Sequence, residues 1–262
     1  MRTLLKHELK NNLKGFLIWT VSVAIFGVIC ILLYSSMEES ISEMADSFSN
    51  LGAFSDAFGM STLSLATLKG YFATEVGTIH SLGGAMFAAS VAAVMLSKEE
   101  EGHTGEFLYT LPVSRGKVVA IKMVATAEMI VAFNIICGVI YQLGCVIMDE
   151  AIPTDELCQY IALQTVMHMV VASICLVLSA CSRKSKLGIG IGIVLLMYMY
   201  DKIGRIIPDL KDYIGIGPFA FCDAADVFTK NYRNGSLIWN IVLCVLCFVA
   251  AYMIYTKRDL SC

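Results

Sequence analysis

Apolar positions in this chain gather into long uninterrupted runs instead of alternating with polar ones. Six runs stand out, at residues 16–34, 76–96, 123–148, 159–181, 187–207 and 236–255. A bilayer hydrocarbon core ~30 Å thick is crossed by roughly 20 apolar residues of α-helix. Each run meets that length or comes close to it, so the pattern predicts an all-α integral membrane protein with six transmembrane helices. The fifth run is the least clean. Its apolar part stops near Tyr200, and Asp201, Lys202 and Arg205 follow, charges that a helix ending early or broken inside protein accommodates.

Ahead of the first run, Leu5, Leu9 and Leu13 recur every four residues, with Lys6, Lys10 and Lys14 one position on. This spacing gives a helix with an apolar stripe and a basic flank, suited to the membrane interface, and predicts an interfacial helix over residues 1–15. The first apolar run is longer than a secretory leader's apolar region, and no small-residue cleavage pattern follows it, so it reads as a retained span. Residues 1–262 are expected to form a single transmembrane domain. The mixed segment 201–234, broken by Pro208, Gly215, Gly217 and Pro218, predicts short re-entrant or extracellular helices before the last span.

Composition sharpens the class. Of the 262 residues, 57% are hydrophobic and 16% charged, against ~25% charged in a soluble domain. The net charge of −3 carries no electrostatic footprint for nucleic acid. With both termini on one side, Lys and Arg divide thirteen to six in favour of that side, which places both termini in the cytoplasm by the positive-inside rule. Of the ten cysteines, seven lie inside apolar runs, including the Cys244-x-x-Cys247 pair. Small-residue packing is the better reading there than metal binding or redox chemistry. Only Cys158 and Cys222 are placed to meet outside the membrane, and no disulfide is expected to be required.

The link between the second and third runs is far longer than a chain reversal needs. It reads Glu99-Glu100-Glu101, then Gly102-His103-Thr104-Gly105-Glu106, then an apolar turn with Leu108 that Pro112 closes, then Ser114-Arg115 leading to Lys122. Thr104 is a candidate cap for a short helix bearing Glu106 in its first turn. Such a helix at the membrane surface makes a docking knob; a solvated charged loop is the plainer alternative.

An acidic run followed by G-x-x-E-x-L…L-P-V-S-R…K between spans two and three resembles the permease subunits of type-2 ATP-binding-cassette exporters. Lys6–Lys10 resembles that family's connecting helix. Pro218-Phe219 followed by Asp223-Ala224-Ala225-Asp226, and the closing Arg258-Asp259-Leu260, are similar to its later segments. The resemblance implies a coupling helix that docks on an ATPase subunit. Its contact residues would be Glu99, Glu100, Gly102, His103, Thr104, Gly105, Glu106, Leu108, Pro112 and Arg115. It further implies two ATPase subunits, a second permease copy or paralogue, a surrounding of membrane lipid, and efflux of a peptide, drug or lipid-like substrate across the cell membrane. The sequence departs from the family at His103-Thr104, where Gly-Thr is commoner, and at the Gly-Ile-Gly before Pro218.

The chain contains no G-x-x-x-x-G-K-[ST] phosphate loop: Gly116-Lys117 has Leu111 where the first Gly belongs. ATP and Mg²⁺ are therefore expected in a partner ATPase, with no cofactor, metal or catalytic residue in this chain. Within the spans, Glu128, Asn134 and His168 are candidates for a pathway or an interface. Glu128 could instead snorkel or pair with Lys122 or Lys98. Gly188 and Gly192 form a small-xxx-small face for close helix approach. The alternatives are an ion-coupled secondary transporter, for which the chain offers no clear internal repeat, and a non-transporting sensor or anchor subunit. A metalloprotease reading fails for want of an H-E-x-x-H pattern.

Overall fold

The structure, a computed structural model, describes residues 2–104, 113–148 and 152–258. Among the described residues all regular structure is helical: α1 (Arg2–Ser49), α2 (Ala53–Phe58), α3 (Leu68–Tyr71), α4 (Gly77–Met95), α5 (Lys98–Glu101), α6 (Arg115–Ile147), α7 (Thr154–Cys181), α8 (Leu187–Ile206), α9 (Ala224–Phe228) and α10 (Asn234–Lys257). A π-helical turn over Phe72–Val76 joins α3 to α4 without a break. Six of these helices, counting α3–α4 as one, are long and apolar enough to cross a membrane.

The first departure from expectation lies in α1. A separate interfacial helix over residues 1–15 is not seen; one helix of 48 residues runs from Arg2 to Ser49. No proline interrupts it, and Gly15 sits within the helix in open space. At ~1.5 Å per residue the helix is ~70 Å long, more than twice the hydrocarbon thickness. Residues 35–49 look loop-like by polarity, yet no Gly or Pro occurs between Gly27 and Gly52. The helix therefore continues to Ser49, and Gly52, with its positive φ of 62°, turns the chain into α2.

α4 and α7 form the centre of the bundle, with α1, α6, α8 and α10 around them. In lipid no hydrophobic drive separates helix from tail, so close packing holds spans together. The sequence of α4 provides this: Gly84, Ala85, Ala88, Ala89, Ala92 and Ala93 are all buried. Gly84 is indispensable to the approach of α7, because a Cβ there would lie 2.2 Å from the His168 ring. Phe87 and Phe133 stack at 5.0 Å between ring centroids, and Phe72 meets the edges of Tyr141 and Tyr160. On α8 Gly190 packs against α4, where a Cβ would sit 3.0 Å from that of Ala93; a Cβ at Gly188 or Gly192 would meet nothing within 4 Å among the described residues.

Between α8 and α10 the expected short helices appear as 3₁₀ turns at Pro208–Leu210 and Ile214–Ile216 and as α9. The start of α1 and the end of α10 lie at one end of the bundle, where Glu8 pairs with Lys98 and Arg115 on α6 donates to the Arg258 carbonyl oxygen at 3.2 Å. Cys158 is exposed and Cys222 buried, and both are free thiols. Burial pushes the Cys222 thiol well above its ordinary value.

Candidate functional site

Three polar centres interrupt the apolar bundle, one at each end and one in the middle. At the terminal end the acidic run forms α5, a single helical turn, and its three carboxylates go to three different places. Glu99 pairs with Lys122 of α6. Glu100 pairs with Arg258 beyond α10. Glu101 accepts from the backbone N–H of Ser185, at 2.9 Å, in the link between α7 and α8.

Lys122 is the centre of this hub. It is fully buried, and its ammonium donates to the Met95 carbonyl oxygen at 2.8 Å while facing Glu99 and, at 3.2 Å, Glu8 of α1. Three acceptors thus match its three donors. Glu8 also pairs with Lys98, so two carboxylates and two ammoniums balance one another. Arg258 caps the end of α7 by donating to the carbonyl oxygens of Ala180 and Ser182 at 2.7 and 2.8 Å.

Sequence reasoning placed Glu99 and Glu100 on the surface as contact residues. The structure turns both inward, as anchors for the segment that follows. Gly102, His103 and Thr104 are exposed just beyond them, and Arg115 is exposed at the start of α6. His103 has a left-handed φ of 51°, which a histidine tolerates better than most residues. Gly105, Glu106, Leu108 and Pro112, with the helix expected there, lie outside the described residues.

Midway along the bundle, Asn134 of α6 joins two imidazoles. Its Oδ1 lies 3.0 Å from Nε2 of His80, and its Nδ2 lies 3.1 Å from Nδ1 of His168. Nδ2 also donates to the Ile130 carbonyl oxygen at 2.9 Å, which fixes the amide's orientation. His80 therefore carries its proton on Nε2, and His168, accepting at Nδ1, carries its own on Nε2 toward the Ser81 carbonyl oxygen. Tyr141 closes one end, its hydroxyl 3.3 Å from Nδ1 of His80. Gln164 extends the other, donating to Ser81 Oγ at 2.6 Å and to the Cys222 carbonyl oxygen at 2.9 Å. All of these side chains are buried, that of Ser81 the least completely.

Of the intramembrane candidates, the structure thus brings Asn134 and His168 together, whereas Glu128 is exposed on the outward face of α6. It neither faces the interior nor pairs with Lys122, whose partners are Glu8 and Glu99. The reading from the sequence missed His80, Tyr141 and Gln164. A signal was present: Tyr160, Gln164 and His168 recur every four residues on α7, and Asn134 and Tyr141 are seven apart on α6, spacings that put each set on one helix face.

At the far end Lys202 and Arg205 of α8 meet three aspartates. Lys202 contacts Asp223 at 3.2 Å and Asp201 at 3.6 Å; Arg205 contacts Asp201 at 3.1 Å and Asp226 at 3.0 Å. Asp223 is also the N-cap of α9, accepting from the Ala225 N–H at 3.2 Å. Burial raises both carboxyls. At Asp223 the charges of Arg205 and Lys202 overcome it and hold the group at about 2. Asp226 stays above its ordinary value, through burial and the neighbouring Asp223 charge.

Among the described residues the helical bundle thus gathers its charged clusters at two ends, with a polar centre between them. The family model for the ABC-2 family transporter protein matches residues 2–214. The chain belongs to this family: it is a membrane transport component, not itself the ATPase, of a kind that works with ATPase subunits. No curated protein shows significant similarity to it.

Proposed function

We propose that the chain is the membrane-spanning subunit of an ATP-driven exporter, and that a separate ATPase couples to it through residues 99–115. The observation that carries this reading is the division of Glu99, Glu100 and Glu101 among α6, the C-terminal segment and the α7–α8 link. A push on the segment they anchor would reach α1, α6, α7 and α8 together. That is what converting nucleotide-driven closure into a change of helix packing requires.

ATP and Mg²⁺ belong to two ATPase subunits. A second permease, identical or paralogous, completes the pathway, and Gly188 and Gly192, left open within this chain, are available to it. The thirteen-to-six basic asymmetry supports cytoplasmic termini in the cell membrane. The substrate is a peptide, a drug or a lipid-like molecule.

The reading is tested at two further residues of this segment. Glu106→Lys and Pro112→Gly should leave insertion and ATP hydrolysis intact in the assembled complex while abolishing efflux. Wild-type efflux in both variants would remove the coupling role of this segment.

A further inference from the structure

A groove of about 370 Å³ opens at the far end of the bundle, between the 3₁₀ turn Ile214–Ile216 and the first turns of α10. Its lining combines opposite charges with an interfacial aromatic: Asp212 and Arg233, Ser236, Ile216 and Trp239. We infer that this groove is a phospholipid site that takes a zwitterionic headgroup bearing a primary ammonium, with the phosphate on Arg233 and the ammonium on Asp212.

The depth of the groove follows from α10. The helix has 24 residues, ~36 Å at ~1.5 Å each, so its first turn stands at one face of a ~30 Å hydrocarbon core. Trp239, in the second turn, then occupies the headgroup boundary where tryptophans concentrate. Beside it Ile238 and below it Ile241, Val242, Val245 and Leu246 are all exposed, a continuous apolar face for acyl chains. Above it Tyr213 and Ile216 are also exposed, at 60% and 57%, and would cover the glycerol region.

The polar groups fit both ends of such a headgroup. Arg233 spends one N–H on the Lys211 carbonyl oxygen, at 3.1 Å, which orients the guanidinium. A guanidinium has five N–H donors in a planar fork that matches phosphate oxygens. Ser236 donates to the Gly215 carbonyl oxygen at 2.6 Å, which ties the floor of the groove to α10. Gly235 leaves open space where a side chain would stand. Asp212 supplies the opposite charge within the same lining. A lipid with a quaternary ammonium offers Asp212 no hydrogen bond, and an anionic lipid meets its repulsion. The combination therefore selects phosphatidylethanolamine-type lipids.

The test uses Trp239 as reporter. The chain has two tryptophans, Trp19 and Trp239, so Trp19→Phe leaves a single emitter in the full-length protein reconstituted into phosphatidylcholine vesicles. Small fractions of acyl-brominated phosphatidylethanolamine or phosphatidylcholine are then added and quenching is compared. The expected result is about threefold greater local enrichment of the ethanolamine lipid, the size of one exposed ion pair. Asp212→Asn should remove the preference, and Arg233→Gln should weaken quenching by both lipids. Equal quenching by both lipids, unchanged in either variant, would overturn the proposal. So would the absence of quenching by any lipid, which would mean that protein covers the face. Displacement by inorganic phosphate as effective as that by the lipid would likewise overturn it, as the mark of a free-anion site. None of these outcomes depends on ATP-driven transport.

Discussion

Lys122 shows how much one side chain decides in this bundle. A buried ammonium is tolerated because Glu8, Glu99 and the Met95 carbonyl oxygen surround it. Lys122→Met would take from Glu99 its cation among the described residues and leave Glu8 with Lys98 alone, and breaking one side of a buried pair costs ~3–5 kcal/mol. Unfolding in mixed micelles should show a loss of that order. Adding Glu8→Gln and Glu99→Gln to Lys122→Met should restore most of it; no recovery in the triple variant would mean that the lysine acts through packing alone. Asn134→Leu tests the central network in the same way. Three hydrogen bonds at ~0.6 kcal/mol each in a membrane interior predict a loss of about 2 kcal/mol on the same assay. The sequence displayed Lys122 and Glu8 only as members of a basic link and an amphipathic lead-in. Glu8 is the most buried side chain of the first turns because it finds cations on two other helices, which no local pattern in its own helix records.

At the scale of elements, the spans were legible because their signal is length and apolarity, which a bilayer imposes on any helix crossing it. Boundaries in polar sequence were not. The extension of α1 to Ser49 depends on the absence of helix breakers, a weaker cue than the Ser-rich, acidic composition that suggests a loop. Gly188 and Gly192 read as the packing pair of α8, but the neighbouring Gly190 is the one that meets α4, because only the register of the two helices selects among closely spaced glycines. Gly84→Ala should separate α4 from α7 at His168, lowering thermal stability more than Gly188→Ala, whose new Cβ meets nothing within 4 Å among the described residues. The far-end cluster adds a dependence on pH. Asp223 is held at about 2 when folded, below its ordinary 3.8, so the folded state binds fewer protons between those values. Its contribution, on the order of 2 kcal/mol, is complete above the ordinary value and disappears as pH falls through about 2. In Asp223→Asn the acid-side decline of stability should be correspondingly shallower.

For the whole molecule, the arrangement is a bundle with the start of α1 and the end of α10 together, a charge hub at α5 beside them, and an ion cluster at the opposite end. If the terminal end faces the cytoplasm, a cysteine introduced at Ser185 is labelled only from inside and one at Ser47 only from outside. The reverse pattern would invert the molecule and remove the ATPase from reach of the hub. The central claim is that this chain transmits work done by another polypeptide. Its most direct test is extraction from native membranes in mild detergent, followed by mass spectrometry of the purified assembly. The account predicts a stoichiometric companion carrying a Walker phosphate loop. Recovery of the chain alone, with nothing recruited by magnesium-ATP and vanadate, would contradict it.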